Sequence, residues 1–499
     1  MSIFLLAFLL LGAAPPPKPA PPEVGVKAVS IGGTRRVEAV LPGRLIATAF
    51  PRSADGKRQV VALVAPQPDG PREIDLVDTA GAGGLRRLAG DLPAKASVLV
   101  AADLAGKGED ALLLGSPGTV WILGTVDHPE APRRLLEGVD PRHLLLGRGP
   151  GLAGAEVGRL RTWTSDRAGK LSPGASFALP VRATRERNAL RLDTPEVHML
   201  AQTGGAPPLY LVGPEASGKT RLHTLLLSRG ADGAEQRSES WSRFAGPEAM
   251  GEHWFVRIDG RPALLVTTNS ADKVSIFEEQ SLRVFLLGAD RSRAGQPPIL
   301  AVPTASRRWF PARPFVLDLD KDGRDDLVLV QQEGLRGKSL LVETWFGQGN
   351  GRFAAPSRKV SLDTQARAWD YGADVTGDGR PDLVAVEGKK LLVFAGTTDP
   401  HRDLLDRRTR LALDLSASEA VTVTASAGSG GAAVASDRTH ALELIDLDGA
   451  GRSAIVVTVR DDQGRGRVTV VLTNPDRGPA DLSLPDRPPS GGPHRKESS

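Results

Sequence analysis

Short apolar runs recur along the chain, each bounded by polar turns rich in glycine and aspartate. Leu327-Val328-Leu329-Val330 and Ala454-Ile455-Val456-Val457 contain no polar residue, the pattern of strands buried on both faces between neighbouring sheets. After the first run comes a Gly-Lys turn and a second strand-like stretch, Ser339–Trp345. The same order returns after Leu383-Val384-Ala385-Val386, where the second stretch is residues 390–394. The pattern predicts units of four short strands joined by polar turns.

The turns before these runs repeat. Asp318, Asp320, Asp322, Gly323, Arg324 and Asp326 form one spacing, and Asp374, Thr376, Asp378, Gly379, Arg380 and Asp382 form its second copy. Degraded copies begin at Asp103 and Asp446, fainter ones surround Asp55-Gly56 and Asp259-Gly260, and positions near 148 and 203 keep only glycines. Eight loop positions therefore recur at intervals of roughly 45 to 70 residues, the range of propeller blades. The expected fold is all-β: a single β-propeller of seven or eight four-stranded blades over residues 24–472. Radial stacking leaves only short strand edges exposed, and residues 24–41 should close the ring by pairing with the last blade.

Composition agrees with this picture. Glycine (56) and proline (39) are well above average usage in 499 residues, which favours many turns and few long helices. Aromatics are only 4%, so Val, Leu and Ala must fill most of the core. The absence of cysteine excludes a disulfide framework and thiolate metal sites. A net charge of +4, with arginines scattered rather than striped, argues against nucleic acid as a partner.

The ends read differently. Residues 3–11 are an unbroken apolar run followed by Gly12-Ala13-Ala14. That run is too short to span a bilayer, which takes about 20 residues, and it fits the apolar region of a signal peptide over 1–14. No Lys or Arg precedes it and Pro15 follows Ala14 directly, so a retained apolar anchor is the alternative. Residues 15–23 read as a Pro-rich spacer and 473–499 as a disordered tail. These features predict an exported, monomeric protein with no transmembrane span after signal removal.

The aspartate spacing carries chemistry. Oxygen donors at alternate positions converge if the chain curls around one point, and glycine at the sixth position permits the curl. Asp318, Asp320, Asp322, the carbonyl of Arg324 and Asp326 would form an all-oxygen cage suited to Ca²⁺. Asp374, Thr376, Asp378, the carbonyl of Arg380 and Asp382 would form a weaker one. Ala450 and Ala454 remove two donors from the copy at 446. At 103, Lys107 takes the place of the third carboxylate, and its ammonium is expected where an ion would sit. The competing account for every copy is an Asp/Gly-rich turn without metal.

These loops resemble the FG-GAP/VCBS repeats of integrin-α-type propellers, with their D-x-D/N-x-D-G-x-x-D-L core. Residues 345–353, containing Phe346-Gly347 and Gly351-Arg352-Phe353, are similar to the Phe-Gly…Gly-x-Phe signature after the third strand. The resemblance covers most of 40–472 as a repeat pattern, but only two units carry the full motif. It implies a calcium-stabilised propeller that binds other molecules and has no shared catalytic centre.

Residues 213–220 satisfy the G-x-x-x-x-G-K-[ST] pattern of a phosphate-binding loop, with Lys219 as its lysine. The repeat argues against that role. Setting Val197 against Val316 runs without a gap to Leu227 against Phe346, which places Gly218-Lys219-Thr220 on Gly337-Lys338-Ser339, a turn between two strands. A nucleotide is therefore not an expected partner.

The eight histidines lie far apart with no paired metal spacing, and no serine-nucleophile elbow is present. His253-Trp254 and Trp369-Asp370-Tyr371 could line a ligand face, though rings packed between blades are the simpler account. The leading expectation is an exported calcium-binding scaffold, non-enzymatic, for a protein or carbohydrate partner. The alternative is a propeller-based polysaccharide lyase or hydrolase, whose mark would be Arg, His and carboxylate side chains converging on the innermost strands.

Overall fold

The second strand of each repeat is the most apolar. In the strand Asp326–Glu333, Leu327, Val328, Leu329 and Val330 are fully buried, as is every residue of Val60–Ala65. A strand with apolar side chains on both faces must be covered by a sheet on each side. Repetition of that requirement around a ring produces a propeller.

The computed structural model describes residues 25–473, apart from 32–33, 81–83, 147–150, 157, 167, 181, 187–188, 194–195, 201–207, 219, 231–233, 245, 247, 271–278, 289–293, 308–311, 334–337, 367, 416–441 and 461–464. The signal segment (1–14), the spacer (15–23) and nearly all of the expected tail (474–499) lie outside these residues, as do the loops at 148 and 203. Among the described residues the fold is all-β and contains eight blades, each an antiparallel sheet; seven have their strands in sequence order, and the eighth takes its outer strands from the N-terminus. The blades span 44–92, 98–137, 144–178, 197–243, 248–307, 312–362, 368–414 and 442–473. A hairpin at 182–193 follows the third blade, and a short one, Gly347–Gly349 with Arg352–Phe353, decorates the sixth.

The ring closes as the sequence predicts. Thr34–Val40 pairs antiparallel with the last strand, Gly466–Thr473, in register from Thr34 opposite Thr473 to Val40 opposite Arg467. The N-terminal strand is thus the fourth of the eighth blade, and Gly25–Ile31 adds a fifth outside it.

The core is partitioned. Eight apolar clusters each join two adjacent blades; one packs Val37, Ala39 and Val456 of the eighth blade on Val60, Ala62 and Val64 of the first. Another packs Phe315 and Val328 of the sixth on Trp369, Tyr371 and Leu383 of the seventh. Trp369 and Tyr371 are therefore interblade packing residues, 3% and 2% exposed. Fourth strands such as Pro129–Glu137 are largely exposed, which puts them on the rim and the first strands around the axis.

Every aspartate-loop position that is described joins the first and second strands of its blade: 50–59, 103–110, 259–260, 318–325, 374–381 and 446–453.

Candidate metal loops and axial cluster

The loop before Asp326 is built by its own carboxylates. Asp318 accepts hydrogen bonds from the N–H groups of Asp322 (3.0 Å) and Gly323 (2.9 Å), and Gly323 adopts a φ of 83°. The same staple, a first aspartate taking the N–H five residues on, recurs from Asp103 to Gly108, Asp374 to Gly379 and Asp446 to Gly451. The first aspartate therefore shapes the turn even where the other donors are lost.

Asp326 has a second role. It opens the strand Asp326–Glu333, is 1% exposed, and accepts from the N–H groups of Leu319 (2.8 Å) and Gly347 (2.7 Å). Burial pushes its carboxyl up to about 6 against the pull of those two bonds. Asp382 repeats the arrangement with Val375, Thr376 and Gly396, and burial lifts it to about 6 as well. A Cβ on Gly347 would overlap the carbonyl oxygen of Asp325, so only glycine brings its N–H close enough to Asp326. Gly396 meets the same limit, since a Cβ there would overlap the carbonyl oxygen of Pro381.

Of the first loop's expected donors, the structure brings Asp318, Asp320 and Asp326 together, with ligand oxygens within 4.8 Å of one another. Asp322 instead accepts from the Arg324 N–H at 2.9 Å, and its second oxygen is 3.6 Å from the Arg324 guanidinium. His401, from the seventh blade, places Nε2 2.7 Å from Asp320 Oδ2 while its ring stacks on Phe346.

In the second loop Asp374, Asp378 and Asp382 do not form such a set, and Asp378 pairs with Arg380 at 2.5 Å. Thr376 Oγ1 is buried there without a hydrogen-bond partner, the state of a hydroxyl available to a cation. The gathered set Asp318, Asp320 and Asp326 is all oxygen, the hard donor chemistry that Ca²⁺ takes. At 103 the expectation for lysine fails: Lys107 is exposed, and its backbone N–H, not its ammonium, bonds Asp103. The faint copy Asp259-Gly260 is a two-residue turn with φ of 50° and 75°, too short to wrap an ion.

A second cluster lies at the first strands and escaped the sequence analysis. Glu196 sits just before Val197–Leu200, and its carbonyl accepts from Gly213 N–H at 3.0 Å, so the pairing of that strand extends to it. His198 Nε2 is 2.9 Å from Glu196 Oε1, and His253 Nε2, from the first strand of the next blade, is 3.4 Å from Oε2. Burial pushes the Glu196 carboxyl up, but hydrogen bonds and charge from the two imidazoles outweigh it and hold it well below the usual range. Only the equivalence of the two strands, one blade apart, could have signalled the meeting of histidines so distant in sequence.

Further round the axis, Arg313 and Asp370 face each other at 3.6 Å on the first strands of the sixth and seventh blades. Burial lowers the Arg313 guanidinium and raises Asp370. Burial, with Asp370 nearby, also pushes Glu443 of the eighth blade up to about 7.

The 213–220 segment runs from the strand Leu209–Ala216 into the hairpin turn before Arg221–Arg229, closed by Ser217 N–H on Arg221 O at 2.8 Å. A strand follows it where a phosphate-binding loop would need a helix. Lys219 lies outside the described residues.

With this geometry in place, comparison defines the class: an all-β, eight-bladed propeller that carries one FG-GAP-like repeat segment, matched over residues 318–385. No curated protein matches the chain. Among solved structures, the WD40 domain of SCAP from fission yeast is similar over 86% of this chain and 95% of its own, at 11% identity and TM-score 0.43. Sqt1 from Chaetomium thermophilum is similar over 87% and 96%, at 11% identity and TM-score 0.41. An Agrocybe aegerita lectin that recognises non-reducing terminal N-acetylglucosamine is similar over 67% and 89%, at 10% identity and TM-score 0.39. Likeness at this level extends to neither ligand nor partner.

Proposed function

We propose that this chain is an exported, calcium-stabilised propeller that serves as a non-enzymatic scaffold for a protein or carbohydrate partner. The observation that carries the calcium reading is the convergence of Asp318, Asp320 and Asp326 in a loop whose sequence matches the FG-GAP-like repeat. Asp318, Asp320 and Asp326 would hold the ion at the sixth blade, and Asp374, Thr376 and Asp382 at the seventh. Bound there, Ca²⁺ would neutralise carboxylates that the fold packs together and tie the first two strands of each blade. Export rests on the apolar run at 3–11, and a chain without cysteine has no disulfide to supply that tie. Isothermal titration of metal-free protein with Ca²⁺, paired with melts in EGTA, tests the reading. Binding with a raised melting temperature supports it; no heat and an unchanged melt refute it. N-terminal sequencing of the mature protein tests export.

The enzyme reading retains one favourable observation, the ionisable groups Glu196, His198, His253, Arg313, Asp370 and Glu443 on or beside the first strands. A screen against acidic and neutral polysaccharides, with Arg313→Ala as control, tests it. Arg313-dependent cleavage would favour an enzyme over a scaffold.

A further inference from the structure

We propose that Glu196, His198 and His253 form a second metal site, for a transition-metal dication such as Zn²⁺, with one coordination position left open. Glu196 and His198 are two residues apart on one extended segment, so their side chains leave the same face. His253 reaches them from the first strand of the next blade. Their ligand atoms all lie within 4.8 Å of one another, with individual separations of 2.9 and 3.4 Å. Zinc bonds of about 2.0–2.1 Å in a tetrahedral arrangement place neighbouring donors about 3.3 Å apart. The three groups therefore need little movement to close on an ion.

The surroundings hold the donors in place. Phe255 packs on both imidazoles, with ring centroids 4.8 Å from His198 and 5.8 Å from His253. His253 is 14% exposed, and its buried Nε2 faces Glu196 Oε2 at 3.4 Å. Glu196 is 55% exposed and gives an ion a path from solvent. Two imidazoles and one carboxylate are a borderline-soft set that favours zinc over calcium, in contrast to the all-oxygen loop at 318. The two sites also stand at different ends of their strands: Glu196 precedes a first strand, whereas Asp318 follows one. Three protein donors leave the fourth position to water or to a carboxylate of a bound partner.

The test uses the full chain with Ca²⁺ in excess, so that the outcome is independent of the calcium loops. Zinc titration by calorimetry should give one ion per chain. His198→Ala and His253→Ala should each weaken it by at least about 100-fold, at or beyond the top of the range for losing an outer-shell partner. His223→Ala, which alters another partly buried histidine facing a glutamate, should leave it unchanged. Co²⁺ bound to the unaltered protein should give the intense visible bands of four-coordinate nitrogen–oxygen ligation, a readout that depends on no variant. Absence of stoichiometric zinc binding, a six-coordinate cobalt spectrum, or full binding by either folded variant, His198→Ala or His253→Ala, would overturn the site.

Discussion

Asp259 and Asp325 clasp each other across two blades: the N–H of Asp259 donates to Asp325 Oδ2 at 2.5 Å, and the N–H of Asp325 donates to Asp259 Oδ1 at 3.1 Å. The other oxygen of Asp259 takes the Gly351 N–H at 2.7 Å. A faint loop copy, too short for an ion, thus holds its neighbour's complete copy. The joint recurs elsewhere. Asp110 exchanges bonds with the backbone of Arg52, Ser453 N–H reaches Asp374 O, and Arg58 N–H reaches Leu447 O. In the seventh blade the residue equivalent to Asp325 is Pro381, which has no N–H to give. There His401 on Asp320 and Arg313 on the Trp369 carbonyl make the joint instead.

Asp259→Ala should destabilise the protein by about 1.5–3 kcal/mol, the usual worth of hydrogen bonds to a charged acceptor. Because both residues belong to one hydrogen-bond network, the double variant Asp259→Ala/Asp325→Ala should differ from the sum of the two single changes by at least about 0.5 kcal/mol. Urea unfolding of the four proteins measures the coupling, and strict additivity would contradict the clasp.

Calcium should bind in two unequal steps. Asp326→Asn should remove the tighter and Asp382→Asn the weaker, because only the first loop gathers three carboxylates. Calorimetry of the two variants assigns the steps, and the reverse order would show that the gathered carboxylates do not set affinity.

The pH dependence has a definite sign. Burial raises Glu443 from its ordinary value of 4.5 to about 7, so between those values the folded state holds a proton that the unfolded state has lost. Its contribution to stability is full below pH 4.5 and is lost as pH rises towards 7, at up to about 1.4 kcal/mol per unit. Glu443→Gln should remove its share of the slope from metal-free unfolding curves collected between pH 5 and 7, clearest above about 6, where Asp326 and Asp382 contribute least. An unchanged slope would place the titration elsewhere.

Ring closure should be indispensable. Val37 is fully buried in the closing strand, and Val37→Asp should cost about 4 kcal/mol or more by placing a charge among apolar side chains. Deletion of residues 25–40 should abolish cooperative melting by circular dichroism.

A fluorescent nucleotide should show no saturable binding that depends on Lys219, because residues 213–220 bend into a hairpin rather than onto a helix N-terminus. Micromolar binding lost in Lys219→Ala would reverse that reading.

The sequence by itself determined everything carried by local spacing. Fully apolar second strands identified the blades, Gly218 and Gly388 marked hairpin turns, and the alternate aspartates located the loops between first and second strands. The closing role of the N-terminal strand was legible because a ring of sheets requires a partner for its last edge. Tertiary structure decided what depends on the distance between blades. It set the count at eight, brought His253 to Glu196 and His198, and set Arg313 against Asp370. Contacts of that kind join residues about one blade apart in the chain, and no local pattern records which side chains of adjacent first strands will face each other across the axis.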